Sequence, residues 1–125
     1  GERMAAEGDQ YMSLAITPTN APNRLRIIAQ FIGSNSAANV RYAGALFQDS
    51  TQAAIAAGMY GIGGSTAGAI GILDYEMAAG TTSATTFAVR LGSIAGATFT
   101  FNGENAARLF GGICNSYMRI EEIFV

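Results

Sequence analysis

Four carboxylates stand close enough in the sequence to work in pairs. Asp74 and Glu76 are two residues apart, so on a strand they would share one face about 7 Å apart, a spacing open to a glycoside hydrolase. Glu121 and Glu122 are adjacent and would point to opposite faces, one toward an interface arginine and the other exposed or hydrogen-bonded. The chain has no histidine and no tryptophan. This excludes a Ser-His-Asp or Cys-His site, and we favour a solvated polar face over a glycosidase for Asp74 and Glu76.

All seven cations of the chain are arginines. Arginine is typical of interfaces, because its planar fork pairs with carboxylates in partly dry places. We expect either intersubunit pairs with Glu104, Glu121 or Glu122, which is the preferred interpretation, or a small anionic ligand held between subunits. The candidate anion-binding residues are Arg41, Arg90 and Arg119.

Residues 114–125 alternate with a period of two, which is typical of a β-strand with a different environment on each face. One face, with Met118 and Ile120, suits a dry core. The other face combines an aromatic, a charge pair and an aliphatic side chain, so it is too apolar for water and too charged for a core. We therefore predict a final strand in the middle of a sheet, with its second face against another subunit. The predicted interface residues on this strand are Tyr117, Arg119, Glu121 and Ile123.

The composition also indicates self-association. Half of the residues are hydrophobic and only 13% are charged, against about a quarter in ordinary soluble domains. No apolar run reaches the ~18 residues of a transmembrane helix, and a net charge of −2 without a basic run makes nucleic acid a poor candidate partner. The single Cys114 forms neither an internal disulfide nor a cysteine zinc site, and we interpret it as a small buried hydrophobe. Nothing in the sequence indicates a metal or a cofactor.

Short alternating segments separated by turn signals cover most of the chain. They are residues 11–17, 24–32, 39–48, 69–77, 85–91, 97–102 and the final strand. For residues 51–58 we prefer strand or loop, although alanine favours helix. The glycine-rich residues 61–71 lack the Gly-Lys-Ser/Thr ending of a phosphate-binding loop, so we interpret them as a loop between strands. The pattern predicts one all-β domain over residues 11–125, an antiparallel sandwich of jelly-roll type, after a linker or stalk end at residues 1–10.

Three segments carry a resemblance to a known family. They are YMSLAITP and NRLRI at residues 11–18 and 23–27, the Asn102-Gly103 turn, and SYMRIEEI at residues 116–123. Together they resemble the C-terminal knob domains of tailed-bacteriophage needle and fibre proteins, which are trimeric jelly rolls of the tumour-necrosis-factor and C1q shape. The resemblance spans nearly the whole chain from Tyr11 onward, but residues 58–71 match no motif of the family.

The resemblance implies that the first and last strands belong to an inner sheet that packs on a three-fold axis. It implies a non-enzymatic virion domain at the tip of a tail needle or fibre, which caps a trimeric stalk and contacts the bacterial cell envelope during attachment or penetration. Loops at residues 34–39 and 61–71 are expected to meet the cell surface. The alternative is a trimeric lectin-like module that binds a host polysaccharide or a small anion. The residues placed at or near the axis are Tyr117, Arg119, Glu121 and Ile123, with Tyr42, Arg41 and Arg90 from neighbouring strands.

Overall fold

The computed structural model describes residues 8–37, 40–61, 68–94, 96–104, 106–108 and 115–125. These residues form ten β-strands and no helix. The described part of the chain therefore contains no helix that is long and apolar enough to cross a membrane. Cys114 lies outside the described residues. The strands are β1 (Asp9–Ile16), β2 (Arg24–Asn35), β3 (Tyr42–Gln48), β4 (Ala56–Tyr60), β5 (Ala69–Ala78), β6 (Thr85–Ser93), β7 (Phe99–Phe101), β8 (Gly103–Glu104), β9 (Ala107–Arg108) and β10 (Tyr117–Ile123).

The strands form two antiparallel sheets that enclose one core. The first sheet has the order β1-β6-β3-β4, and the second has the order β10-β2-β5, with β7 paired to the far end of β2. Strands β8 and β9 form a separate two-stranded ribbon. The prediction of an all-β antiparallel sandwich is therefore confirmed.

The position of the final strand differs from the prediction. Among the described strands, β10 pairs only with β2 and lies at the edge of the second sheet, whereas the centre of that sheet is the 12-residue β2. The first strand pairs with β6 in the opposite sheet. The predicted central position of the last strand is wrong, and so is the placement of the first and last strands in one sheet. Alternation identifies a strand and its two faces, but it does not say how many neighbours the strand has.

The core is built from the alternate residues of three long strands. In β2 the odd-numbered positions from Leu25 to Phe31 are fully buried, and β3 and β6 supply the facing residues. The rings of Tyr60 and Phe31 make a T-shaped contact with ring centroids 5.0 Å apart. The fully buried large side chains are Tyr42, Phe31, Phe87, Leu25, Ile27, Leu46, Leu91 and Val89.

Tyr42 belongs to this core and not to a subunit surface. Its side chain is 1% exposed, and its hydroxyl donates a hydrogen bond to the backbone oxygen of Ala69 at 2.8 Å. Burial raises the pKa of Tyr42 above its usual value. The prediction that Tyr42 lies at the interface is wrong, because the alternation of β3 points Tyr42 inward with Leu46.

Turn residues end the strands at several predicted positions. Strand β1 ends at Ile16, two residues before the buried Pro18. Asn102 has a φ of 60° and therefore adopts the left-handed conformation that asparagine tolerates better than most residues. Its backbone N–H donates to the oxygen of Ile32 at 2.9 Å, and its side-chain oxygen accepts from the Ser116 hydroxyl. The Asn102-Gly103 turn thus connects β7 to β8 and also supports the start of the last strand.

The described parts of the loops predicted to meet the cell surface lie at the same end of the sandwich as Gly8. Asp9 pairs with Leu91, and Tyr42 pairs with both Ser93 and Tyr60, so β1 begins where β3 begins and β4 ends. Within the two predicted loops, residues 38–39 and 62–67 lie outside the described residues. The remainder includes the ends of β2 and β5. The opposite end of the sandwich carries the turns at residues 17–23, 49–55 and 79–84.

Gly71 leaves the space that two core rings occupy. A Cβ at this position would lie 2.3 Å from Cε1 of Phe31 and 2.8 Å from the ring of Tyr60. We expect Gly71→Ala to lower the free energy of unfolding by about 1–3 kcal/mol, because overpacking displaces both rings. Chemical denaturation measures this loss. Gly96→Ala is the matched control, since nothing lies within 4 Å of its added Cβ, and equal effects of the two variants would contradict this packing.

Candidate functional site

The outer face of the second sheet combines charged and apolar side chains in an ordered grid. The even-numbered residues of β2 point outward, because the odd-numbered residues point into the core. The strand register places one outward residue of β10, one of β2 and one of β5 at each height along the sheet. These rows are Ile123, Arg24 and Ala78; Glu121, Arg26 and Glu76; Arg119, Ile28 and Asp74; and Tyr117, Gln30 and Ile72. We call these four rows, together with Ile70, the ion-pair face.

Arg26 joins all three strands of this face. Its Nε and Nη2 donate to the two carboxylate oxygens of Asp74 on β5, at 3.0 Å and 2.6 Å. On the other side, its Nη1 lies 3.8 Å from Oε1 of Glu121 on β10. Arg24 makes a second pair with Glu76, with 3.0 Å between Nε and Oε2. In these three ion pairs, the central strand β2 supplies the arginines and the flanking strands β5 and β10 supply the carboxylates.

The pairing of Asp74 argues against its use as a catalytic acid. The hydrogen bond from Arg26 holds the pKa of Asp74 below its usual value, and burial opposes this shift only in part. A glycosidase needs one carboxyl group with a raised pKa, so that the group is protonated when it meets the substrate. The lowered pKa of Asp74 favours its ionised form, which is the opposite of what a catalytic acid needs.

The ion-pair face also carries a concentration of exposed apolar side chains. Ile70 is 62% exposed, Ile72 56%, Tyr117 47% and Ile123 39%. Nine large hydrophobic side chains are exposed among the described residues, and these four lie on one face, with Phe124 and Val125 following β10. Ile70, Ile72 and Tyr117 lie at one end of the face and Ile123 lies at the other, with the charged rows between them. Single exposed hydrophobic residues are ordinary on protein surfaces, whereas several on one face together with polar residues indicate an interaction site.

The structure brings together the four interface residues that were predicted on the last strand. Tyr117, Arg119 and Ile123 are exposed and Glu121 is half-buried, whereas Met118 and Ile120 pack against the core. Sequence reasoning missed the contribution of β2 and β5, including Ile28 and Ile72. The signal was present, because residues 24–32 alternate between apolar and mixed positions in the same way as the last strand.

The three candidate anion-binding arginines do not converge within one chain. Arg119 lies on the ion-pair face of the second sheet, whereas Arg90 lies in β6 of the first sheet and donates to the backbone oxygen of Gly8. Arg41 directly precedes the inward-pointing Tyr42, so alternation also places it on the outer side of the first sheet. A cavity of about 250 Å³ beside Arg90 is walled mainly by small residues such as Ala43. The predicted three-arginine site is therefore not assembled by a single chain.

Glu122 fastens the last strand to the turn between β1 and β2. Its carboxylate accepts hydrogen bonds from Nδ2 of Asn23 at 2.7 Å and from the backbone N–H of Thr19 at 2.9 Å and 3.0 Å. The backbone N–H of Asn20 adds a longer bond at 3.4 Å. These donors, with Asn23 contributing most, lower the pKa of Glu122. The prediction that one of the two adjacent glutamates is hydrogen-bonded is confirmed, but its partners lie about 100 residues away and could not be predicted from the sequence.

The other two carboxylates considered for intersubunit pairing also have partners in their own chain. Glu121 pairs with Arg26, and Oε1 of Glu104 accepts the backbone N–H of Gly68 at 2.7 Å. The arginine pairs that the structure describes are therefore intrachain pairs. A contact with a second copy would add to these intrachain pairs and would not replace them.

Comparison with known proteins adds no further residue to this site. The chain matches no protein-family model, and no curated protein is similar to it in sequence. The ion-pair face is therefore assigned as the candidate site from its geometry, exposure and charge.

We expect Glu122→Gln to lower the melting temperature by several degrees, because the amide replaces one of the two acceptor oxygens that bind donors of the turn with an NH₂ group. The effect depends on pH. Since folding lowers the pKa of Glu122, the ionised carboxylate stabilises the fold fully above about pH 4.5, its ordinary pKa, and this contribution is lost as the pH falls toward the lowered value. Thermal melts between pH 7 and pH 3 measure both effects.

The control for this prediction is Asp9→Asn, which removes an exposed carboxylate at the start of β1. We expect its melting temperature to follow that of the unmodified protein, and the difference between Glu122→Gln and the unmodified protein to shrink at low pH. A difference that stays constant down to pH 3 would show that ionisation of Glu122 is not what stabilises the turn.

Proposed function

We propose that this chain is a homotrimeric knob of jelly-roll type at the tip of a tailed-phage needle or fibre. In this role it is a non-enzymatic structural domain of the virion tail that caps a trimeric stalk and contacts the host cell envelope. The observation that carries the proposal is the ion-pair face, a sheet surface with exposed aliphatic side chains and with charges that, apart from Arg119, are paired among the described residues. The resemblance at residues 11–27 and 116–123 supplies the class of protein.

The path of the chain between the two sheets supports the jelly-roll part of the proposal. Strands β1, β3, β4 and β6 lie in the first sheet, and β2, β5 and β10 lie in the second. Every connection among these strands crosses between the sheets except the β3–β4 hairpin. Long crossing connections of this kind make the Greek keys from which jelly rolls are built.

The charges on the ion-pair face support its burial against another protein. Three arginines (Arg24, Arg26 and Arg119) and three carboxylates (Asp74, Glu76 and Glu121) leave the face with no net charge. Burying an unpaired charge is costly, whereas a charge that already has a hydrogen-bonded partner can enter an interface at a lower cost. The intrachain pairs therefore lower the free-energy cost of removing water from this face. Burial of the neighbouring aliphatic side chains contributes favourable free energy to the contact.

The lectin-like alternative has less support. It needs a site in which polar side chains converge on a ligand, whereas Arg90 and Arg119 belong to opposite sheets. A glycan array with the purified protein discriminates between the two hypotheses, because the knob proposal does not require binding to any free sugar.

We expect the protein in solution to have about three times the chain mass of 12.9 kDa, measured by light scattering behind a sizing column. Ile72→Lys should shift the protein toward monomer, because it places a charge among the aliphatic side chains of the proposed contact. Met59→Lys is the matched control, since Met59 is 62% exposed on β4 of the first sheet. A monomeric unmodified protein, or equal effects of the two variants, would contradict the proposed trimer face.

The envelope-contacting role makes a separate prediction about the two ends of the sandwich. Phage particles that carry the protein with residues 36–39 and 61–67 replaced by unrelated polar residues should adsorb and deliver DNA poorly, because these replacements change the loops expected to meet the cell surface and spare strands β2 and β5. Replacement of residues 81–84 at the opposite end is the control and should leave adsorption unchanged. Unchanged adsorption and DNA delivery after the first replacement would contradict an envelope contact through those loops.

A further inference from the structure

We propose that copies of this chain contact each other through the two sides of the ion-pair face. In this contact, β10 of one copy lies against β5 of the next, and each row of one copy lies level with the same row of its neighbour. The inference rests on the proposed function, because it presupposes a ring of three copies. It adds which residues meet and in what register. The partner that the face fits is therefore a second copy of this chain, in a head-to-tail contact.

The flanks of the face are suited to a head-to-tail contact. In a closed ring, each copy contributes two different surfaces to its two neighbours. Here those surfaces are the β10 flank and the β5 flank, which lie on opposite sides of β2. If the ring axis runs along the strands, rotation about it preserves height, so each row of one copy meets the same row of the next.

Three of the four rows are complementary in this register. Tyr117 of one copy meets Ile72 of the next, and Ile123 meets Ala78, so two rows make apolar contacts. Between them, Arg119 meets Asp74, which makes an ion pair. The apolar row of Tyr117 and Ile72 lies directly beside this pair and would exclude water from it on that side, which strengthens the pair.

Arg119 is the residue that the single chain leaves for this contact. Among the described residues it makes no ion pair, whereas the other two arginines of the face are paired with carboxylates of the same sheet. Asp74 keeps room for a second partner, because a carboxylate has about four acceptor positions and Arg26 uses one on each oxygen.

The fourth row has carboxylates on both flanks, Glu121 and Glu76. Each has an arginine of its own chain beside it, Arg26 for Glu121 and Arg24 for Glu76. Their repulsion across the contact is thereby reduced. A shift of the copies by two residues in one direction would bring Glu121 level with Asp74 and Arg119 level with Ile72, so it would oppose two carboxylates and remove the ion pair.

Disulfide trapping tests the register directly. In a Cys114→Ser background, we expect the double variant Tyr117→Cys with Ile72→Cys to oxidise into a covalent species of three chains on a non-reducing gel. Each single variant should stay uncrosslinked, because the two positions belong to different copies at each contact. The mismatched pair Tyr117→Cys with Ala78→Cys is the control, since Ala78 lies at the opposite end of β5.

The outcomes separate this inference from the proposed function. A monomeric unmodified protein overturns both. A trimeric protein whose matched pair stays uncrosslinked, or whose mismatched pair crosslinks equally well, overturns the register and leaves the trimer standing. Dimers formed by Tyr117→Cys alone would indicate a symmetric contact of the face with itself and would also overturn the inference.

A charge variant provides a second measurement that does not depend on introduced cysteines. Reversal of a charge at a desolvated pair costs more than about 1.4 kcal/mol of association free energy. Arg119→Glu should therefore raise the dissociation constant of the assembly at least tenfold. Arg119→Lys should retain most of the assembly, and Met59→Glu, which adds a carboxylate on the side of the first sheet, should leave it unchanged. An Arg119→Glu variant that assembles as well as Met59→Glu would contradict the proposed pair with Asp74.

Discussion

Strand β2 has a different environment on each of its faces, and the same two-residue alternation determines both. Its odd-numbered residues, Leu25 to Phe31, fill the core. Its even-numbered residues include Arg24, Arg26 and Ile28 of the ion-pair face. A slip of one residue would exchange the two sets and bury guanidinium groups in the core. The pairs from Arg26 to carboxylates on both neighbouring strands hold the register on the outside, while the buried aliphatic residues hold it on the inside.

The ion pairs matter more for an assembly than for the single chain. Their side chains are about half exposed, and exposed pairs contribute little to the stability of a fold. Their effect is to leave a sheet surface with no net charge, on which Arg119 is the one charged side chain of the four rows without an ion pair among the described residues. A protein that offers a carboxylate to Arg119 can cover such a surface without leaving buried charges unpaired, and the aliphatic side chains beside the pairs then supply the favourable energy.

The edge position of β10 requires an explanation, since an open edge strand is a liability. Two interactions hold it there besides its pairing with β2. Near its start, the Ser116 hydroxyl bonds both Asn102 and the backbone N–H of Ile32. At its end, the Glu122 carboxylate accepts hydrogen bonds from Thr19 and Asn23 in the turn between β1 and β2. The strand that carries four residues of the proposed interface is thus fixed at both ends by polar contacts to distant parts of the chain.

The sequence by itself determined the strands, their faces and the mixed character of the last strand, because burial on one side of a sheet imposes a period of two that can be read from residue types. It could not determine which strands become neighbours. The edge position of β10, the separation of Arg90 from Arg119 and the partners of Glu122 all depend on pairing between segments far apart in the chain. Only the tertiary structure decided them, because backbone hydrogen bonds between strands carry almost no information about residue type.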